Sequence, residues 1–498
     1  MNIELIYLSS AIITIFAIAF AFQKHKELKL RFYTNLIVKS FLKKQERFAG
    51  EKYFSTIGLI NLIQFLYSDN NKEAKKALNS LLCGESNLAL EYLKNKHTER
   101  RKYLSICLKS FDDKTNTIKE FERLKPENHI LIELVSLYFH KNEISKAKFL
   151  VETLLNNKNK KKLSKEIKAT ALYYLAQINL KDGDLYSATE NNNKAISLFE
   201  KTNLNYEAAK AMLLMGLIYR FAFIEDIAEI FFKSALDSFR NIDAIDGIAD
   251  TYANLAMLNL NRELYETAIE QHEIAIRENE KIGRRKAIAN SLNHLGLIEI
   301  VRNNFSKAST LLNKALNIHK EEKNKIGIAI SYELLAQINF KNNDIKQAKK
   351  HILFAISNNK EAKNIPATND CLYLLAQILM KEENYNEAIK LLREIIKVCE
   401  NNENIFPIAN AYSLLGVIYL KQNELGRAKA LLQKSLYREM KDDRIEAIAC
   451  DYTNIGIIEA KRGNIEEAKS NWKLALKLAE SSEDKDLIKF LNEKLTEE

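Results

Sequence analysis

From residue 166 onward the apolar residues fall at helical spacing, as in Leu255 and Leu258, then Leu292, Leu295 and Ile298, then Leu311, Leu312 and Leu316. Short polar breaks separate these runs: Lys181-Asp182-Gly183-Asp184, Asn303-Asn304 and Asn342-Asn343-Asp344. They carry turn and capping residues, so the pattern predicts helices joined in pairs by tight turns. A small residue stands in the middle of one helix of each pair: Ala176, Gly216, Ala256, Gly296, Ala336, Ala376, Gly416 and Gly456, forty residues apart every time. Twelve residues after each comes an alanine: Ala188, Ala228, Ala268, Ala308, Ala348, Ala388, Ala428 and Ala468. Seven further on the column reads Ala195, Ala235, Ala275, Ala315, Ala355, Ile395, Ser435 and Ala475. Helix axes approach to about 8–10 Å, and the shortest separations need Gly or Ala where they cross. Three small-residue columns in phase predict eight stacked helix pairs with a forty-residue step.

Upstream the pattern decays. Ala147 holds the second-column place, but Val135 and Leu154 fill the other two, as in a degenerate repeat. Residues 57–82 resemble another, with Ala74 in phase and Leu62 in place of the small residue. The C-terminal stretch 486–495 alternates apolar and charged residues, as a helix closing an open-ended array would. At the other end, residues 5–22 run without a charge, LIYLSSAIITIFAIAFAF, which spans ~27 Å as a helix. Lys24, Lys26, Lys29 and Arg31 follow it, so the bias of basic flanks predicts a single-pass anchor with the N-terminus outside and the remaining chain cytoplasmic. A cleaved signal is the competing reading, with Ala19-Phe20-Ala21 as its site; it would make this an exported effector.

These columns, with Asn254-Leu255-Ala256, His294-Leu295-Gly296 and Ser413-Leu414-Leu415-Gly416-Val417-Ile418-Tyr419, resemble the tetratricopeptide repeat (TPR) family over residues 166–480. The usual unit has about 34 residues, and the longer step here is closer to kinesin light chain-type arrays. The resemblance implies an all-α fold: a right-handed α-solenoid of TPR hairpins, preceded here by a single transmembrane helix. The expected organisation is an anchor over 1–23, a divergent basic helical region over 24–125, and a degenerate repeat with a basic linker over 126–165. Eight repeats over 166–480 and a capping helix over 481–498 complete it. An anchor plus cytoplasmic repeats also resembles the bacterial lipopolysaccharide-assembly regulator, which suggests a bacterial inner membrane. That family's cysteine-rich terminal module is missing, since no cysteine follows Cys450.

Composition narrows the chemistry. Only 13 Gly and 3 Pro occur in 498 residues, which disfavours sheets with many tight turns. Net charge is +10, but residues 1–165 hold 30 Lys and Arg against 17 Asp and Glu, so the basic excess lies in the N-terminal third. Asn156 to Lys162 lacks interleaved aromatics and is read as a solvated loop rather than a nucleic-acid site. Cys83, Cys107, Cys371, Cys399 and Cys450 are scattered, with no C-x-x-C pair, and are read as packing residues of a reducing compartment. No phosphate-binding glycine loop, H-E-x-x-H or G-x-S-x-G occurs, so neither a cofactor, a metal nor a catalytic residue is expected.

The TPR resemblance implies a concave face lined by the first helices, with ligand-facing places set relative to the small first-column residue. Those places hold Asp250, Asn254, Asn290, Asn293, His294, Gln337, Asp370, Gln377, Asn410 and Asn454, together with Gln177. Amide side chains there can both donate to and accept from the backbone of an extended peptide. An ordinary hydrated surface is the alternative. The Lys and Asn clamp of co-chaperone repeats has no counterpart: its places hold Tyr173 with Gln177, Leu213 with Leu217, or Ala253 with Met257. The reading is a membrane-tethered, non-enzymatic scaffold for a protein or peptide partner. A peptide-responsive sensor is the alternative.

Overall fold

The computed structural model describes residues 61–62, 65–66, 72–82, 91–93, 102–104, 106, 114–156, 163–400, 405–440, 444–482 and 484–496. Among the described residues every regular element is an α-helix. Short helices α1 (Lys72–Leu82), α2 (Lys114–Glu122), α3 (Asn128–His140) and α4 (Ile144–Asn156) come first. Regular pairs follow: α5 (Lys165–Lys181) with α6 (Leu185–Lys201), α7 (Asn205–Phe221) with α8 (Glu225–Asn241), and α9 (Ile245–Asn261) with α10 (Tyr265–Lys281). Then come α11 (Arg285–Val301) with α12 (Phe305–Glu321), α13 (Lys325–Lys341) with α14 (Ile345–Glu361), and α15 (Ile365–Lys381) with α16 (Tyr385–Glu400). The last are α17 (Ile405–Lys421) with α18 (Leu425–Glu439), α19 (Ile445–Lys461) with α20 (Ile465–Ser481), and the single α21 (Lys485–Thr496).

The turns explain the pairing. Each hairpin reverses through one residue in the left-handed region, such as Gly183 (φ 81°), Asn303 (φ 61°), Asn343 (φ 60°) and Gly463 (φ 83°). Glycine and asparagine carry the smallest penalty there, and this residue ends one helix so that the next can start. The next helix is then capped where the sequence supplies an acceptor. Asp184 accepts from Ser187 N at 3.0 Å, and Asp344 from Gln347 N at 3.1 Å.

Packing follows the small-residue columns. Ala176, Ala256, Ala336 and Ala376, and all eight alanines of the second column, are fully buried. A large side chain sixteen residues later covers each glycine of the first column. A Cβ on Gly216 would lie 2.4 Å from the Phe232 ring, and one on Gly456 2.3 Å from the Trp472 indole. Trp472 is 6% exposed and donates Nε1–H to the Thr453 carbonyl at 3.2 Å, so its one polar atom is satisfied inside the crossing.

The chain divides into two units, one ending at His294 and the other beginning at Leu295. In the first, α5 to α10 each pack on their chain neighbours, and the first helices α5, α7 and α9 also touch in turn. The degenerate segment shares a core with α5: Leu134, Val135, Ala147, Val151 and Leu154 cluster with Ala171, Tyr174 and Ile178. In the second unit the same order of contacts runs from α12 to α21, with α13, α15, α17 and α19 in successive contact.

The expectation of a single-pass membrane protein requires correction. Among the described residues no helix is long and apolar enough to cross a membrane. The segment 5–22, on which that expectation rested, lies outside the described residues, as do Lys158 to Lys162 of the basic linker.

Candidate functional site

A pocket of about 360 Å³ opens in the second unit among α13, α15 and α17. Helical spacing sets its walls. Glu333 and Gln337 stand one turn apart on α13, while Leu334, Leu335, Ala336 and Ile338 face the core. On α15, Asp370, Tyr373, Leu374 and Gln377 lie along one stripe, backed by the buried Cys371, Leu372, Leu375 and Ala376. Asn410 arrives from α17 and Ile395 from α16. Four of the residues singled out from sequence, Gln337, Asp370, Gln377 and Asn410, therefore line one pocket.

Its electrostatics are unusual for a helix surface. Burial pushes the Glu333 carboxyl up to about 7, and the negative charge of Asp370 adds to that shift. The Cys371 thiol, 3.7 Å from Glu333 Oε2, and the Gln337 amide, 3.4 Å from Oε1, are the neutral donors around it. Asp370 is also raised by burial. Burial pushes the Cys371 thiol strongly upward, so it stays protonated and inert as a nucleophile. The Tyr373 hydroxyl is raised by burial as well. Asn369, 7% exposed, lines the pocket and donates Nδ2–H to Cys399 Sγ at 3.4 Å. Asn410 accepts from Arg444 Nη1 at 2.8 Å, and the Arg444 charge also acts on Tyr373, partly offsetting the effect of its burial.

Beyond the pocket, Asn454 on α19 donates its amide to the Cys450 carbonyl one turn back at 3.0 Å. Nearby, Asp451 is fully buried, accepts from the Ser413 hydroxyl, and is pushed up to about 6 by desolvation. Glu439 beside it is pushed up to about 7 by burial and by the Asp451 charge.

The first unit holds its singled-out residues differently. Asp250 is ion-paired with Arg284 Nη1 at 3.0 Å, and Arg284 also reaches the Asp246 carbonyl and Asn279 Oδ1, each at 3.3 Å. Asn254 donates to the Asp250 carbonyl at 2.8 Å. The His294 ring stacks on His272 with centroids 5.2 Å apart. Burial holds both imidazoles neutral, at about 4 and about 3 respectively. Asn290 is exposed, whereas Asn293 is only 3% exposed and sits inside the helix packing. These side chains are largely committed to contacts within their own unit.

Glu333, Tyr373 and Asn369 were not singled out from sequence. A signal existed for the first two: both stand three residues before a first-column alanine, the place that Asn293 occupies in its own repeat. Among the described residues no group of His, Cys, Asp and Glu is arranged to hold a metal ion.

Comparison with known proteins agrees with this architecture. The apo form of the quorum sensor NprR from B. thuringiensis is 17% identical, with a TM-score of 0.51, covering 70% of this chain and 97% of that one. A Rap protein complexed with Competence and Sporulation Factor is 13% identical, with a TM-score of 0.51, covering 70% of this chain and 98% of that one. A signal-transduction ATPase with a tetratricopeptide repeat sensor from Pyrococcus horikoshii is 17% identical, with a TM-score of 0.49. The match covers 81% of this chain but only 63% of that longer protein. At such identities the likeness is one of fold. No curated protein sequence matches the chain. By sequence, residues 369–436 match the tetratricopeptide repeat model, and Asp370, Tyr373, Gln377 and Asn410 of the pocket stand inside that matched stretch.

Proposed function

We propose that this chain is a protein-binding scaffold whose repeats hold an extended peptide or protein segment, with the pocket among α13, α15 and α17 of the second unit as its anchor point. One observation carries the reading: Gln337, Asp370, Gln377 and Asn410 come from three successive first helices and converge on one pocket. Amides presented at that spacing suit the alternating donors and acceptors of an extended backbone. Asn454 continues the row on α19, while Asp250, Asn254, Asn290 and His294 are the corresponding places of the first unit. The protein acts by binding rather than catalysis in this reading, since the pocket offers no activated nucleophile beside a base.

The test is capture of randomised short peptides by the purified full chain, followed by titration of the best binders. Each amide hydrogen bond contributes a net ~0.5–1.5 kcal/mol, so Gln337→Ala with Gln377→Ala should weaken binding roughly tenfold or more. Helix content should not change, because neither side chain lies in a packing column. Unchanged affinity in the folded double variant would move the binding site elsewhere. A ligand-responsive sensor is the second reading, favoured by the likeness in fold to the quorum sensor NprR. It requires a change in solution scattering on addition of the captured peptide, which a passive scaffold does not show.

A further inference from the structure

Resting on that reading of the pocket, we infer that it selects a cationic side chain, Arg or Lys, in the bound segment, with Glu333 and Asp370 as counter-charges and Asn369 as a hydrogen-bond acceptor. The pocket gathers two carboxylates, Glu333 and Asp370, that no cation among the described residues neutralises. Among the described residues neither is ion-paired. The influences on Glu333 are burial, the Asp370 charge and the Cys371 thiol, and burial alone acts on Asp370. Two other carboxylates of the same unit are paired, Glu299 with Lys307 at 2.6 Å and Glu459 with Lys429 at 2.9 Å and Arg462 at 3.2 Å, whereas Glu333, half-buried, and Asp370, at the exposed rim, are not. Lys341 also lines the pocket but is exposed, and its charge is not among those acting on either carboxylate.

A second, independent feature points the same way. Asn369 is buried and lines the pocket, and its nitrogen is committed to Cys399 Sγ while its oxygen takes no hydrogen bond among the described residues. An acceptor left open beside two unpaired carboxylates asks for a ligand rich in donors and positive charge, which an ammonium or guanidinium group provides. Tyr373 adds an aromatic wall on which such a cation can rest. A cation also favours the ionised form of Glu333, so binding expels a proton from the carboxyl that burial holds near pH 7. The charged and titratable neighbours facing Glu333 are Asp370 and the protonated Cys371, and neither supplies the missing positive charge.

The experiment uses the full chain and pools of short randomised peptides, each pool fixed at one position as arginine or as citrulline, its neutral isostere. The arginine pool should bind at least roughly tenfold tighter, and its advantage should grow between about pH 6 and about pH 8 as Glu333 ionises. Glu333→Gln with Asp370→Asn should erase the arginine advantage, so that the two pools bind the variant equally. Equal binding of both pools to the unaltered chain overturns this inference while the peptide-binding reading stands. Binding by neither pool overturns both. Should the double variant fail to fold by circular dichroism, the comparison of pools and its pH dependence on the unaltered chain still decide the matter.

Discussion

At the scale of single residues, the fit between small and large side chains sets what each helix crossing tolerates. Gly456→Ala would push a Cβ to 2.3 Å from the Trp472 indole, whose nitrogen is already tied to Thr453. It should cost ~1–3 kcal/mol in denaturant unfolding, because the buried ring must shift and give up its bond to Thr453 to make room. Gly426→Ala is the control: the nearest atom to its Cβ is an Arg462 terminal nitrogen at 3.9 Å. There the change should be neutral or stabilising by up to ~1 kcal/mol, the usual helical preference of alanine over glycine. Equal losses at both positions would show that the columns do not mark crossings. These small residues were legible because close packing leaves only Gly and Ala as solutions. Glu333 was not, because a carboxylate on a helix reads as a solvated charge until its neighbours in space are known.

At the scale of the helix pair, the turns carry the signature. Asn, Gly and Asp account for many of the left-handed turn positions, as capping chemistry demands, but Phe223 sits there too, at φ 58° and 85% exposed. A bulky residue in that region costs ~1–2 kcal/mol, with no buried contact to offset it. Phe223→Gly should therefore raise stability by about 1 kcal/mol, seen as a higher midpoint of thermal unfolding. No change, or a loss, would mean that the aromatic ring makes a contact worth as much as the strain. Helix and turn identities could be read from the sequence because both depend on local chemistry. What a surface amide would bond to could not: Asn254 and Asn454 spend their donors on their own helices, Asn293 is buried, and Asp250 is claimed by Arg284. Those outcomes depend on rotamers and on residues a helix away.

At the scale of the whole molecule, two buried pairs, one in each unit, should respond to pH in opposite directions. In the first, His272 and His294 are held neutral at about 3 and about 4, below the ordinary imidazole value. The unfolded chain then binds more protons, so this unit loses stability as pH falls below about 6.5. In the second, Glu439 and Asp451 are raised to about 7 and about 6, so the folded form binds more protons. Their contribution is full below the ordinary carboxylate range and is lost as pH rises through about 7. Segment-resolved hydrogen exchange between pH ~5 and ~7 should show α9 and α10 loosening at the acidic end, with α18 and α19 loosening at the neutral end. His272→Leu should flatten the first trend, and Glu439→Gln with Asp451→Asn the second. Parallel trends in α9–α10 and α18–α19 would contradict these assignments.

The pairing of small with large side chains has one more consequence. Gly216 is covered by Phe232, and Gly456 by Trp472, and in each case both members belong to the same helix pair. The hole and the side chain that fills it are thus encoded together, a short distance apart in the gene. Recombination that duplicates or deletes one such stretch copies or removes that fit whole, while the seams between pairs, where Gly247 lies under Phe239 and Gly327 under His319, must be matched anew. Substitutions at the two places should accordingly co-vary within a repeat while drifting freely between repeats. The array can thus change its length, and with it the number of surface positions open to selection, provided the new seam between pairs repeats the fit of the old one.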